Sequence, residues 1–291
     1  DVLLGRDGID KAVGKKADII QFQIARVLNK LSRHDEAKPY YLHVFNSSLV
    51  EKKIKREAAF SLAEYFEEKI QFQQSDRYYL SAIDLCESVQ SCNYAHYKRA
   101  WLYYKEVKLE TAISELKLSL FEADGSVRQK VLNDLFLFFS ADMTNGEKEL
   151  AYILELETRL ERDDLVKKLV EAFYSAGNRI AGTTTLMALN KRQPDIFYEA
   201  RLIEEFYGYK DLDLINKYLI ALNKRQQSEI PLKAIEAKEF KAMLRRVLVQ
   251  FDTESQSNTQ YKKPLKTLID TYLSLYPNDD LRIKLQQGWL K

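Results

Sequence analysis

The sequence predicts an all-α chain of stacked antiparallel helix pairs, and three observations carry that expectation. Small residues recur twelve positions apart, at Ala25 and Ala37, at Ala63 and Ser75, and at Ala100 and Ala112. A larger residue stands three positions after the first of each pair: Leu28, Phe66 and Tyr103. Where two helices of a hairpin cross, small side chains let the backbones approach. The frames begin at 25, 63 and 100, a period of 38 and then 37 residues. A lone helix pair cannot bury both its faces, so such a period asks for stacked neighbours. Secondly, 9 Gly and 5 Pro in 291 residues supply too few turns for a chain of short strands. Thirdly, strict alternation of apolar and polar residues is sustained nowhere.

Taken in order, residues 1–16, with Gly5, Gly8 and Gly14, read as a lead-in. A helix over 17–31 pairs with one over 35–47, where Asp35 can cap and Pro39 stands in the first turn, a place that does not need its N–H. The second pair covers about 53–88. The third runs from Tyr94 to Asp124 and is the clearest. Its first helix carries Tyr94, Tyr97, Trp101 and Tyr104 on one side, breaks at Val107-Lys108, and returns with Ala112, Leu116 and Ser119 at i, i+4 and i+7. Asp124-Gly125-Ser126 is a stop followed by a start. Leu132, Leu135, Phe136 and Phe139 predict a helix over 127–141 buried on most sides, and Asn145-Gly146 turns it into 147–161.

Next, 163–176 pairs with 179–191 across Gly177-Asn178, and Gly182 lies two periods after Ala112. Pro194 closes that pair, and 195–208 with 211–224 forms another, Asp211 being a candidate cap. Pro231 opens a helix over 232–251, the polar run 252–260 reads as a loop, and Lys263-Pro264 begins a helix that Pro277-Asn278 stops. A last helix over 279–290, ending in Trp289, is expected to cap the stack. The expected organisation is thus a lead-in (1–16), a repeat array (17–228), and C-terminal helical units with a cap (229–291), six to seven helix pairs in all.

The Ala100/Tyr103/Ala112 pattern and its copies, with Pro194 and Pro277 ending second helices, resemble the tetratricopeptide repeat (TPR) family. The repeats are degenerate: the family's Trp-x-x-Leu-Gly opening is absent, Ala stands where Gly is usual, and the periods are long. The resemblance implies a right-handed superhelical solenoid whose concave face is lined by first helices and binds a protein or peptide. Carried over residue by residue, that face holds Phe22, Arg26 and Asn29, then Phe60, Glu64 and Glu67, then Tyr94, Tyr97, Trp101 and Tyr104. Of these, Phe60, Glu64, Glu67 and the four aromatic residues are the expected partner-binding set, since Tyr and Trp are enriched at the energetic centres of interfaces. Family members that clamp a carboxylate terminus use Lys, Asn and Arg. Phe22, Arg26, Phe60 and Glu64 at the matching places argue against that role. An aromatic groove flanked by Glu64, Glu67 and Glu68 is expected to take an apolar or mildly basic segment.

A net charge of +2 implies no general attraction to nucleic acid, and the run Lys52-Lys53-Ile54-Lys55-Arg56 reads as a solvated helix face. No stretch approaches the roughly 18 apolar residues of a membrane span. Cys86 and Cys92 flank the join between two hairpins and are either a disulfide or two unrelated buried thiols. A disulfide would speak for an oxidising compartment. With a start at Asp1, it makes a processed chain in a periplasmic or secreted setting the favoured expectation over a cytoplasmic one.

His34, His43 and His96 are far apart and lack Cys or carboxylate neighbours at ligand spacing. The run Ala181-Gly182-Thr183-Thr184-Thr185 lacks the Gly-Lys-Ser/Thr of a phosphate loop and falls inside a helix. No catalytic residue, metal site or cofactor is therefore expected. The expected function is a non-catalytic protein- or peptide-binding scaffold, in a bacterial envelope assembly. The alternatives are a peptide-sensing regulator of the TPR type and an enzyme with a site built in the concave face.

Overall fold

A computed structural model describes residues 6–86, 89–120, 125–226, 234–277 and 279. All regular structure among them is helical. The chain divides between Asp142 and Met143 into two compact units.

The first unit comprises α1 (Arg6–Lys30), α2 (His34–Asn46), α3 (Lys52–Glu68), α4 (Phe72–Asp84), α5 (Val89–Lys105), α6 (Leu109–Leu120) and α7 (Gly125–Ala141). α1 packs on α2, α3 on α4 and α5 on α6, and each second helix packs in turn on the first helix of the next pair. The second unit comprises α8 (Glu147–Leu160), α9 (Leu165–Ser175), α10 (Arg179–Arg192), α11 (Ile196–Tyr209), α12 (Leu212–Gln226), α13 (Ala234–Ser255) and α14 (Lys262–Leu275). Here α9 pairs with α10, α11 with α12 and α13 with α14; α8 packs on α9, and α13 and α14 lie against α11 and α12. The fold is all-α, built of stacked antiparallel helix pairs in the TPR-like manner.

One turn closes five of these hairpins. A single residue takes the left-handed conformation at Ser32 (φ 58°), Ile70 (59°), Val107 (61°), Gly177 (80°) and Lys210 (57°), two positions before the returning helix begins. The next residue's N–H reaches back five positions: Arg33 to Leu28 O (2.9 Å), Gln71 to Phe66 O (2.8 Å), Lys108 to Tyr103 O (2.9 Å), Asn178 to Phe173 O (2.9 Å) and Asp211 to Phe206 O (3.1 Å). This bond satisfies a carbonyl that the helix end would leave open. Its first three acceptors are the frame residues Leu28, Phe66 and Tyr103. Its last two extend the frame to Val170/Gly182 and Ile203/Ile215, where Gly182 is the one small residue left to mark it.

The small residues sit where the crossing needs them. Ala25, Ala37, Ala63, Ser75, Ala100 and Ala112 are buried. Ser75 also donates from Oγ to the Ala63 carbonyl across its own hairpin at 2.8 Å, so the hydroxyl is satisfied where it is buried. A Cβ on Gly182 would stand 3.0 Å from the Tyr174 ring, which explains glycine inside α10.

Three expectations are corrected. The described part of the lead-in, from Arg6, is the start of α1; Gly14 is tolerated in that helix because the Leu49 side chain lies 2.8 Å from where its Cβ would be. Residues 252–255 continue α13: Phe251 is buried, Thr253 and Ser255 bond back to the Val249 and Asp252 carbonyls, and Asn258 caps a short 3-10 turn over Thr259–Tyr261. Asp35 lies inside α2 and does not cap it; its carboxylate accepts from Tyr65 Oη (2.8 Å) and Lys69 Nζ (3.1 Å) of α3 and its C-cap. Pro39 then falls in the second turn, where its missing N–H forfeits a helical bond. The expected cap over 279–290 lies, except for Asp279, outside the described residues.

Val107 is a β-branched residue in the left-handed region and is 86% exposed. That conformation costs a non-glycine residue about 1–2 kcal/mol, part of which glycine returns as extra freedom in the unfolded chain. Val107→Gly is expected to raise stability by about 0.5–1 kcal/mol, read from the urea midpoint at constant m. A loss would mean that the isopropyl group makes a compensating contact.

Candidate partner groove

The first helices of three successive pairs, α1, α3 and α5, share a face that carries two hollows. The larger, about 300 Å³, lies between α3 and α5 and is lined by Arg56, Glu57, Phe60 and Ser61 of α3, Ala82 of α4, and Tyr94 and Ala95 of α5. The smaller, about 170 Å³, lies between α1 and α3, where Phe22, Arg26, Asn29 and Lys30 face Glu57 and Ser61, with Tyr41 of α2 beneath. Glu57 and Ser61 border both, so α3 is the common wall of one groove. Phe60 stacks on Tyr94 (centroids 5.0 Å, interplanar 21°) and meets Tyr79 edge-on at 5.4 Å. Tyr94 remains 57% exposed. At the α1 end the Arg26 guanidinium lies 5.8 Å from the Phe22 ring centre.

Glu64 and Glu67, expected on this face, are engaged by lysines of the next repeat. Glu67 accepts from Tyr79 Oη at 2.7 Å and from Lys105 Nζ at 2.6 Å, with Lys98 Nζ at 3.7 Å; Lys98 also lies 3.3 Å from Glu64. Burial alone would push the Glu67 carboxyl up, but the hydrogen bonds from Lys105 and Tyr79 and the nearby lysine charges hold it below the usual carboxylate range. Burial also pushes the Tyr79 hydroxyl far up, and its bond to Glu67 adds to the shift. Lys98 is drawn down by burial and raised on balance by Glu67 and Glu64. Of the charged residues lining the groove, Arg26, Lys30, Arg56 and Glu57 have no ion-pair partner among the described residues. The groove therefore presents three cations against one anion. The charges left without an ion pair on the groove are thus opposite in sign to the acids on which the expected fit to a mildly basic segment rested.

The aromatic stripe divides. Tyr97 Oη and Trp101 Nε1 both donate to Asp134 Oδ2 of α7, at 2.8 and 3.2 Å. Tyr104 stacks on Phe138 of α7 at 4.3 Å, and Trp101 meets the same ring edge-on at 5.1 Å. Lys130 Nζ lies 5.0 Å over Tyr97, whose hydroxyl is pushed up to about 12 by burial and then by the Asp134 carboxylate. These three rings join α5 to α7, each still partly exposed, while Tyr94 and Phe60 belong to the groove. Sequence reasoning passed over Glu57 and Ser61. Arg56 was assigned to a solvated basic face but lines the larger hollow.

The histidines have carboxylate or amide partners that sequence spacing did not reveal. His96 Nδ1 lies 2.7 Å from Glu115 Oε2, His43 Nε2 lies 2.8 Å from Asp18 Oδ1, and His34 Nδ1 lies 2.6 Å from Asn29 Oδ1. Asp18 is raised by burial but held below its ordinary range by bonds from Ser47 and His43. Among the described residues no three His, Cys, Asp or Glu side chains come together as a metal site would require, and no helix is long and apolar enough to cross a membrane. Cys86 and Cys92 are joined as a disulfide with Cα atoms 5.8 Å apart. It lies at the α4 end of the larger hollow, one turn beyond Ala82 and two residues before Tyr94.

No family model matches the sequence, and no curated protein matches it. Solved structures do. The Pseudomonas aeruginosa pilF structure aligns with TM-score 0.36 and 12% identity over 94% of this chain and 99% of its own. The C-terminal part of a TPR repeat-containing protein from Cytophaga hutchinsonii aligns with TM-score 0.39 and 12% identity, over 90% and 98%. A tetratricopeptide repeat protein from Parabacteroides merdae aligns with TM-score 0.43 and 14% identity, over 87% and 99%. The TPR-like fold rests on this chain's own helix pairs and turns.

Proposed function

We propose that this chain is a non-catalytic scaffold that holds a protein or peptide segment in the α1/α3/α5 groove. The observation that carries the reading is the continuity of the two hollows along one face, with a half-exposed tyrosine and cations that have no ion-pair partner among the described residues. Phe60 and Tyr94 would receive an aromatic or apolar side chain, and Arg26, Lys30 and Arg56 an acidic group beside it. Glu64, Glu67, Tyr97, Trp101 and Tyr104 would shape the groove by holding α3, α5 and α7 in place, the three rings offering their remaining surface to the partner. The Cys86–Cys92 bond supports an oxidising setting, such as a bacterial envelope assembly, where the α4–α5 join beside the groove would stay closed.

A random-peptide display selected on the full chain tests this. Enriched peptides are expected to combine an aromatic residue with Asp or Glu. Tyr94→Ala and Arg56→Ala should each weaken them about tenfold, or about 1.4 kcal/mol, with the melting temperature held within a few degrees. Peptides that bind both variants as tightly as the parent would place binding outside this groove.

A further inference from the structure

The outward face of α1 carries a second surface, which meets the groove only at Lys30. Val13, Ala17, Ile20, Ile24, Val27 and Leu31 follow one another at alternating steps of four and three residues. That is the a/d spacing of a coiled-coil seam, which keeps side chains on one line of a helix. The line faces solvent: Val13 is 63%, Ile20 59%, Ile24 39%, Val27 55% and Leu31 61% exposed, and Ala17 is exposed too. The opposite side of the same helix buries Asp18, Phe22 and Ala25 against the first pair. A soluble surface seldom leaves so continuous an apolar strip uncovered. From Val13 to Leu31, one residue past the end of α1, it rises about 27 Å, enough for two to three heptads of a partner helix.

Charge selects the partner. Lys16, Gln23 and Lys30, seven residues apart, flank one side of the seam, and Lys11 and Arg26 lie on the same helix. The only acid from 11 to 31 is Asp18, which is buried and bonded to His43 and Ser47. A second copy of α1 laid antiparallel would set Lys16 against Lys30; laid parallel, it would set lysine against glutamine. Neither arrangement supplies a negative charge, although flanking charges decide which helices pair.

We propose that this seam docks one amphipathic helix of another protein, with Leu or Ile along its stripe and Glu or Asp beside it, as a two-stranded coiled coil with α1. Two synthetic peptides of three heptads test it, both with Leu and Ile at a and d, one with Glu and the other with Lys at the flanking positions. Fluorescence anisotropy with the full chain is expected to give at least tenfold tighter binding for the Glu peptide, weakening as salt rises. Ile20→Glu should abolish that binding with its melting curve unchanged, since Ile20 contributes to no core, and Tyr94→Ala should leave it intact. Equal binding of the two peptides, or binding of neither, overturns the proposal. So does sedimentation showing the chain alone as a dimer that Ile20→Glu makes monomeric, which would assign the seam to a second copy.

Discussion

Arg99→Ala is expected to cost about 3–5 kcal/mol of stability, the range for breaking a buried ion pair from one side. The guanidinium donates from Nε to Asp76 at 2.6 Å, from Nη1 to Glu115 at 2.6 Å and from Nη2 to Tyr103 Oη at 2.8 Å. Its side chain is 14% exposed and that of Glu115 only 9%, so neither charge has ready access to water. Asp76 belongs to α4, Arg99 and Tyr103 to α5 and Glu115 to α6, so one planar fork ties the second pair to the third. Truncation leaves Glu115 buried with His96 alone. Two further variants separate charge from packing in urea unfolding. Arg99→Lys keeps the charge but cannot serve three acceptors in a plane, and should recover only part of the loss. Arg99→Met with Glu115→Gln removes both buried charges and should recover more. If the double variant is as unstable as Arg99→Ala, packing rather than charge dominates.

Trp101→Ala is expected to cost about 3 kcal/mol, the low end for a large aromatic because the ring keeps some exposure. It would lose the edge contact on Phe138 and Tyr104 and one of the two bonds to Asp134. Tyr94→Ala should cost under about 1 kcal/mol, since that ring is half exposed and its ring contacts are the stacks on Phe60 and, at 6.3 Å, on Tyr97. Thermal unfolding of the two variants side by side checks the division of the stripe into a packed part and a presented part. Equal costs would remove it.

The helix pairs were legible because burial writes its period into the chain. Ala25, Ala63 and Ala100 mark three crossings without help from the structure. The turns were not. Four of the five shared left-handed positions are Ser, Ile, Val and Lys, residues that carry no such signal, and only Gly177 announces it. The start of α1 was hidden by Gly8 and Gly14, which break helices on average, although a glycine can be held in one where Leu49 takes the space of its Cβ. The end of α13 was hidden by polar Asp252–Ser255, whose hydroxyls turn inward onto their own helix. On the groove face the aromatic positions could be placed by register. The loss of Glu64 and Glu67 to Lys98 and Lys105 could not, because an ion pair one repeat away leaves no mark on either helix alone.

The shared turn also says where this chain can change length. Its left-handed residues stand at 32, 70, 107, 177 and 210, unevenly spaced, while the returning helix always begins two residues later. Across these five hairpins all variation in period is therefore stored in the helices and in the joins between hairpins, never in the bend. One residue inserted at Val107 would rotate α6 by about 100° and drive Ala112 out of the crossing. The same insertion between hairpins would leave each pair intact and only re-aim the next one. In an engineer's vocabulary the bend is the standard fitting and the join the adjustable spacer, so whole hairpins are the parts to graft, swap or delete, cut at the joins.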